Sequence, residues 1–278
     1  MSFFFPYPGS KRRELKRINM PKCVEAIDIV VEPFCGSCCF SMASGKDAAV
    51  NDLDPMLFDF MSTIQAEGDQ KFIDFYNAHK TREQFEEVLA GEQNLMAWYY
   101  KRAASVFRVG MYPTARPPVR RVSLSKAVEF FQKSRITNVN YADILTEFHD
   151  NERALIFLDP PYFNSSSVEY YQQHGALLRD QIEGDRGVRV PDNTQMFVDI
   201  IKFFQTCRCK FIMITNGNAI MKHIYRDFII YEYQFKYSGT IIINGIGRKK
   251  LTTHLLISNL PPDCFNCHAD ALGEMAPT

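Results

Sequence analysis

Ala154-Leu155-Ile156-Phe157-Leu158-Asp159-Pro160-Pro161-Tyr162 is a five-residue apolar run that ends abruptly in a carboxylate, two prolines and a tyrosine. A run that is apolar at every position, rather than every second one, suits a strand covered on both faces. Such strands belong to parallel sheets with crossover helices. Runs of the same kind occupy Ala26–Val31, Ala48–Asn51, Lys210–Thr215, Phe228–Phe235 and Leu251–Ser258. Between them, Leu53–Ile64 and Asn193–Phe204 carry helical spacing. Asp192 or Asn193 is the candidate N-cap of the second helix, with Pro191 just outside it. The expected class is α/β.

The rest of the composition narrows the function classes. With 278 residues, the chain is long enough for a large core without covalent staples. Lys plus Arg and Asp plus Glu both number 32, which excludes a uniformly basic binder but not a local basic face. No run resembles a membrane span. The start, Met1-Ser2-Phe3-Phe4-Phe5-Pro6, lacks the basic region of a secretory signal, so an intracellular location and reduced cysteines are expected. Cys35-x-x-Cys38 and Cys264-x-x-Cys267-His268 invite a zinc or haem reading. The pairs sit in unlike contexts and lack a partner pair at finger spacing, so small buried thiols are expected and no metal.

One segment interrupts the α/β pattern, roughly Gln65–Arg135. From Gln93 to Val128 it has no acidic residue but carries Lys101, Arg102, Arg108, Arg116, Arg120, Arg121 and Lys126. Trp98, Tyr99, Tyr100, Phe107 and Tyr112 interleave with these cations, and Pro113, Pro117 and Pro118 predict an irregular loop. A solvated face is the plain reading. Seven uncompensated cations in a neutral chain also suit a polyanion, since phosphate neutralisation supplies most nucleic-acid affinity.

Ligands of open parallel sheets bind beyond the carboxyl ends of the strands, where Asp159–Tyr162 falls. The prolines fix φ and remove two backbone donors, leaving carbonyls as acceptors. A carboxylate beside such a carbonyl can accept both hydrogens of an amino group, and the tyrosine offers a stacking face. A simple turn after a strand is the structural alternative. Upstream, Ile29-Val30-Val31-Glu32-Pro33-Phe34-Cys35-Gly36-Ser37 runs from a strand into a glycine-bearing loop, and Val50-Asn51-Asp52-Leu53-Asp54 ends a second strand in carboxylates. A glycine turn followed by an acid after the next strand suits a nucleoside cofactor. The absence of G-x-G-x-x-G disfavours a dinucleotide and a nicotinamide oxidoreductase.

These motifs resemble the Dam-type, D12 class DNA adenine-N6 methyltransferases, in the family's order and over nearly the whole chain. Tyr7-Pro8-Gly9-Ser10-Lys11 is similar to the family's W-A-G-G-K segment, and Glu32-Pro33-Phe34-Cys35-Gly36 to its E-P-F-x-G loop. Asn51-Asp52-Leu53-Asp54-Pro55 resembles the acidic ribose-binding step, and Tyr141-Ala142-Asp143 the Y-A-D before the catalytic strand. Asp159–Tyr162 is similar to the catalytic D-P-P-Y, Ile212-Met213-Ile214-Thr215-Asn216 to the later I-S-N strand end, and Asn244–Leu251 to N-G-G-x-R-K-K-V. Cys38 stands in place of the loop's second glycine, and a side chain there is expected to crowd the cofactor. Tyr7 replaces a tryptophan and Ser10 a glycine. The segment from Tyr162 to Asn193, with Gly175, Gly184 and Gly187, is longer than the family's, and Phe107–Arg121 matches poorly.

The resemblance implies a Rossmann-like class I methyltransferase sheet, mostly parallel with an antiparallel C-terminal hairpin strand, plus an inserted, mainly helical DNA-recognition lobe. The implied division is residues 1–64 and 136–258 for the core, 65–135 for the lobe and 259–278 for a loose tail. It further implies S-adenosylmethionine as cofactor, double-stranded DNA as substrate, a cognate restriction endonuclease as a partner class, and a monomer or weak dimer. Asp159, Pro160, Pro161 and Tyr162 are the implied catalytic residues. Tyr7, Lys11, Glu32, Phe34, Gly36, Asp52, Asp143 and Asp159 border the cofactor, with Lys11 meeting its carboxylate or a DNA phosphate. Asp143 is equally readable as a helix cap, and Lys11 as part of a basic amphipathic turn with Arg12, Arg13, Lys16 and Arg17. Arg108, Arg116, Arg120, Arg121, Arg248, Lys249 and Lys250 are the expected DNA contacts. The rivals are cytosine-N4, RNA-adenine or protein-amide methylation, and a DNA-binding relative without turnover.

Overall fold

The computed structural model describes residues 7, 9–104, 121–162, 193–243 and 246–266. Seven strands form one sheet: β1 (Ile29–Glu32), β2 (Asp47–Asn51), β3 (Arg135–Thr137), β4 (Ala154–Leu158), β5 (Lys210–Asn216), β6 (Ile229–Ile243) and β7 (Ile246–Ser258). Their order is β3-β2-β1-β4-β5-β7-β6. The first five are mutually parallel, while β7 runs antiparallel to both β5 and β6. This is the mixed α/β sheet that the apolar runs predict. Two details differ. Ala26 and Ile27 lie ahead of β1, and β3 has no counterpart among the expected strands because three residues are too few to show a period. The chain leaves β1 toward β2 and β3, then returns to β4 on the other side of β1. That reversal opens a crevice beyond the carboxyl ends of β1 and β4.

Ten helices accompany the sheet among the described residues: α1 (Met20–Cys23), α2 (Cys39–Ser44), α3 (Pro55–Glu67), α4 (Gln70–Ala78), α5 (Arg82–Ala90), α6 (Leu95–Ala104), α7 (Arg121–Lys133), α8 (Tyr141–Phe148), α9 (Thr194–Thr206) and α10 (Ala219–Ile224). Alternation along the strands sorts the core into two faces. Val31, Ile156, Leu158 and Met213 pack with Ile144, Leu145, Phe197, Ile200 and Met221 from α8, α9 and α10. Val30, Leu155, Phe157 and Ile212 face the other way, onto Phe40 and the N-terminal turns. On that same side, Ala48 and Val50 continue into a cluster with Phe60, Phe72, Phe85, Tyr99 and Phe131, so α3 to α7 share one core with β2.

Three readings of the sequence are corrected by this packing. Trp98, Tyr99 and Tyr100 are buried in that cluster rather than turned outward between cations, because a helix sends its successive apolar residues into the core. Arg102 is 3 % exposed and faces Asp54, at 3.6 Å, so it is a compensated charge and not part of a basic face. Residues 259–266 are tied down rather than loose. Asn259 caps strand edges through Phe211 N–H and Cys209 C=O at 2.9 Å each, and the Asn266 N–H donates to the Arg17 carbonyl at 2.7 Å. The seven described cysteines are free thiols, and no group of three metal-ligating side chains occurs among the described residues. No described helix is long and apolar enough to cross a membrane.

Candidate active site

At the end of β1 the chain makes a tight turn. Gly36 has φ of +45° and Cys38 φ of +51°, and the Cys38 N–H closes the turn on the Cys35 carbonyl at 2.7 Å. A side chain at position 36 would meet the Tyr7 ring at 3.1 Å, in a conformation that already favours glycine. Cys38 shows how a non-glycine residue fits the second site. Its side chain is buried and turned into the core, Sγ lying 3.9 Å from the Met61 sulfur, so it does not crowd the outer side of the loop.

Carboxylates surround this turn, and backbone amides hold most of them. Asp52 accepts from the Gly36 N–H at 3.0 Å and from the Asp54 N–H at 3.1 Å. Burial pushes its carboxyl up to about 6 despite these bonds. Asp54 caps α3 through the Met56 and Leu57 N–H groups and receives the Tyr7 hydroxyl at 3.4 Å. Glu32, fully covered, accepts from the Ser41 N–H at 2.7 Å, and burial pushes it up to about 8. Asn51 ties three strand ends together: its amide donates to the Pro33 and Val139 carbonyls, and its oxygen accepts from the Thr137 hydroxyl and the Val139 N–H. Phe34 stacks on Tyr141 with ring centroids 5.3 Å apart. Asp143 lies exposed in the first turn of α8, and the cap is supplied by Asn140, whose side chain accepts from the Ala142 N–H.

The second half of the site follows β4. Asp159 is 21 % exposed and Pro160 buried, while Pro161 and Tyr162 are half-buried, so the corner opens outward. Lys11 reaches it from the N-terminal turn Lys11–Arg13. Its Nζ lies 2.5 Å from Asp159 Oδ1, donates to the Gly9 carbonyl at 3.1 Å, and stands 5.2 Å from the centre of the Tyr162 ring. Lys11 is buried, which rules out its reading as part of an exposed amphipathic turn. Burial raises the Asp159 carboxyl, and the Lys11 ammonium opposes that rise. Asn193 does not cap α9 through its side chain. Its amide donates instead to the carbonyls of Pro161 and Tyr162, at 3.2 and 3.1 Å, bracing the exit of the corner.

Behind Tyr162 lies a buried polar cluster that the sequence did not disclose. The Tyr162 hydroxyl is 3.2 Å from His254 Nε2, and His254 Nδ1 is 2.8 Å from Glu14 Oε2, which also accepts from the Tyr233 hydroxyl. Burial raises the Glu14 carboxyl, but the His254 hydrogen bond and the Lys11 charge outweigh it, leaving the group lowered. Beside this cluster a groove of about 130 Å³ is lined by Arg13, Lys16, Arg17, Gln234, Phe235 and Lys236, a cation-rich surface.

Of the expected DNA contacts, Arg108, Arg116 and Arg120 lie outside the described residues, as do Phe107 and Tyr112. Arg121 opens α7. Arg248, Lys249 and Lys250 belong to β7, where Arg248 pairs with Ile241 and Lys249 with Thr240 in the β6–β7 hairpin. Cys267 and His268 are also outside the described residues.

The turn after β1 and the Asp159–Tyr162 corner meet at the switch point of a mostly parallel sheet. Comparison with known proteins narrows the class. Residues 7–112 match the family model of D12 class N6 adenine-specific DNA methyltransferases, which takes in Tyr7, Lys11, the turn after β1 and Asp52. The chain is also similar to the Type II methyltransferase M.CviBI of Paramecium bursaria Chlorella virus NC1A, 25 % identical over 117 residues. That stretch spans 42 % of this chain and 38 % of the viral protein, so the chain matches well under half of its curated relative. Two solved structures align with this chain at 9 % identity and a TM-score of 0.38. One is a precorrin 8W decarboxylase from Methanobacterium thermoautotrophicum (91 % of this chain, 94 % of that one); the other is a candidate RNA methyltransferase from Pyrococcus horikoshii (93 % and 91 %). Neither likeness bears on chemistry.

Proposed function

We propose that this protein transfers a methyl group from S-adenosylmethionine to N6 of an adenine swung out of double-stranded DNA. The observation that carries this reading is the position of the Lys11 amino nitrogen, held between the Asp159 carboxylate and the face of Tyr162. The corner binds an N–H donor over an aromatic ring, which is what capture of a planar base amine requires. The D12 class match supports adenine and DNA as the substrate.

The turn after β1 suits the cofactor. Asp52 spends one bond per oxygen on backbone amides, and each oxygen keeps capacity for a ribose hydroxyl. Gly36, Tyr7, Phe34 and Asp143 would border the adenosine, and Glu32 would act from below by fixing the start of α2. The cofactor supplies a methyl group on a sulfonium sulfur. The adenine N6 lone pair is delocalised into the ring and poorly nucleophilic. Asp159 and the Pro160 carbonyl would accept its two hydrogens and favour a pyramidal nitrogen with a free lone pair. Holding the two reactants in line accounts for roughly 7–11 kcal/mol of barrier, and the carboxylate stabilises positive charge developing on nitrogen. Extrusion of the base costs a few kcal/mol, of which stacking on Tyr162 returns about 1–3 kcal/mol. Lys11 occupies Oδ1 of Asp159, so an amine that takes this oxygen displaces Lys11 from it. The groove flanked by Arg13 and Lys236 lies on the far side of His254, where Phe235 lines it, and suits DNA phosphates.

The test is product analysis. Duplex DNA incubated with the protein and methyl-labelled S-adenosylmethionine, then digested to nucleosides, should carry label in N6-methyldeoxyadenosine. Label in N4-methyldeoxycytidine, or none in DNA, overturns the reading.

A further inference from the structure

We propose that Glu14 and His254 are positioning residues that hold the Tyr162 hydroxyl and thereby set where its ring stands beside Asp159. The inference deepens the reading above and rests on it for its kinetic arm only.

His254 lies in β7, opposite Asn216 of β5 and Tyr233 of β6, and strand alternation turns it to the face that carries Leu256 and Tyr233. It is completely buried, and Glu14 is 1 % exposed. Every side of the imidazole is fixed. Phe235 stacks on it at 5.0 Å and 12°, while Tyr233 and Tyr162 meet it edge-on at 5.7 and 5.5 Å. Both ring nitrogens are committed, Nδ1 to Glu14 and Nε2 to Tyr162. With Glu14 held as a carboxylate, Nδ1 must carry hydrogen. Nε2 then accepts from the Tyr162 hydroxyl in neutral imidazole, or donates to its oxygen in imidazolium. Either state tethers the ring.

The cluster is therefore a rigid post built from a turn near the N-terminus and a strand near the C-terminus, and its outer end is a half-buried tyrosine in the candidate active site. Two buried ionisable groups carry a desolvation cost that a purely structural contact could avoid with apolar side chains. Their hydrogen-bonded link to the crevice runs through the Tyr162 hydroxyl, while their charges are felt by Lys11 and Asp159. A tyrosine following two prolines has a fixed backbone start but free side-chain torsions, and the tether removes that freedom. The groups around His254 include Glu14, Tyr233, Tyr162 and Phe235; the Lys11 charge acts on Glu14, the Asp159 carboxylate feels the His254 charge, and Arg17 lies over the Tyr233 ring.

The experiment uses the full chain with 3-fluorotyrosine placed at position 162 and the variants His254→Phe and Tyr162→Phe. In the parent protein the fluorine signal should be single and shifted from free fluorotyrosine. In folded His254→Phe it should move toward the free value and broaden. An unchanged signal overturns the proposal, whatever the protein's activity. In the kinetic arm, Tyr162→Phe and His254→Phe should each lower kcat for DNA methylation about 3- to 10-fold, the range of one hydrogen bond, with cofactor KM unmoved. The double variant should fall no further than the worse single one. Losses that multiply, or a Tyr162→Phe enzyme with unchanged kcat, overturn it. Should His254→Phe not fold, Tyr162→Phe alone decides, because that change removes only a hydroxyl at a half-buried position. A parent protein that methylates no DNA refutes the proposed function and leaves the fluorine arm as judge of the tether.

Discussion

Two edges carry the candidate site, and they hold their carboxylates by different means. Where β1 and β2 end side by side, Asp52, just past β2, is held by backbone N–H groups from Gly36 and Asp54, and Glu32, the last residue of β1, by that of Ser41. At the end of β4, Asp159 is held by an ammonium, that of Lys11, and Tyr162 by an imidazole. Backbone donors are fixed once the turn has formed, so the first edge is a preformed cradle. Side-chain partners have torsions of their own and can withdraw, so the second edge can exchange Lys11 for another amine. The difference suits the proposed reaction, in which a cofactor would sit still beside a base that enters and leaves.

The largest expected effect lies at the exchangeable edge. Asp159→Asn keeps the shape and one acceptor oxygen but removes the charge. It should lower kcat about 10²- to 10³-fold, the loss found for one oriented electrostatic partner, in a labelled-methyl assay with cofactor binding retained. Turnover within a few fold of the parent would place the chemistry elsewhere and dissolve the contrast. At the cradle, Asp52→Asn should raise the cofactor Kd about 10- to 100-fold, the weight of a charge-assisted hydrogen bond of about 1.5–3 kcal/mol. Calorimetry measures it, and kcat at saturating cofactor should change far less. A cofactor Kd equal to the parent's would remove Asp52 from the cradle.

The smallest effect is a pH dependence of stability. Glu32 has an ordinary value of 4.5 unfolded and about 8 folded. A carboxyl raised in this way stabilises the fold fully below 4.5, and the contribution is lost as pH rises through about 8. Between pH 7 and 9 the parent should lose about 1 kcal/mol through this group. Glu32→Gln keeps an oxygen for the Ser41 N–H and cannot ionise, so its urea midpoint should be flatter over that interval. Parallel curves for parent and variant would show that the buried carboxyl does not titrate there.

Much of this was legible in the sequence. The central strands could be read because apolar residues at every position leave few alternatives to a doubly covered strand. Asp159–Tyr162, the turn after Glu32 and Asp52 could be read because each is a short segment whose chemistry follows its strand directly. The cation run misled for Trp98, Tyr99, Tyr100 and Arg102. One-dimensional interleaving does not separate a helix's inner face from its outer one, and the ion pair of Arg102 with Asp54 joins residues far apart in the chain. Asn193 stands at the cap position before α9, yet its amide donates to both carbonyls of the corner.

What the sequence alone determined is therefore the class of sheet, the strand ends that carry carboxylates and the proline-stiffened corner, all set by local pattern and backbone restriction. Tertiary structure decided which distant side chains meet there. Lys11 reaches Asp159 only because the N-terminal turns lie across β6, and Glu14 meets His254 across 240 residues only because β7 inserts between β5 and β6. A hydrogen bond between buried side chains depends on distance in space, and no periodicity along the chain encodes that distance.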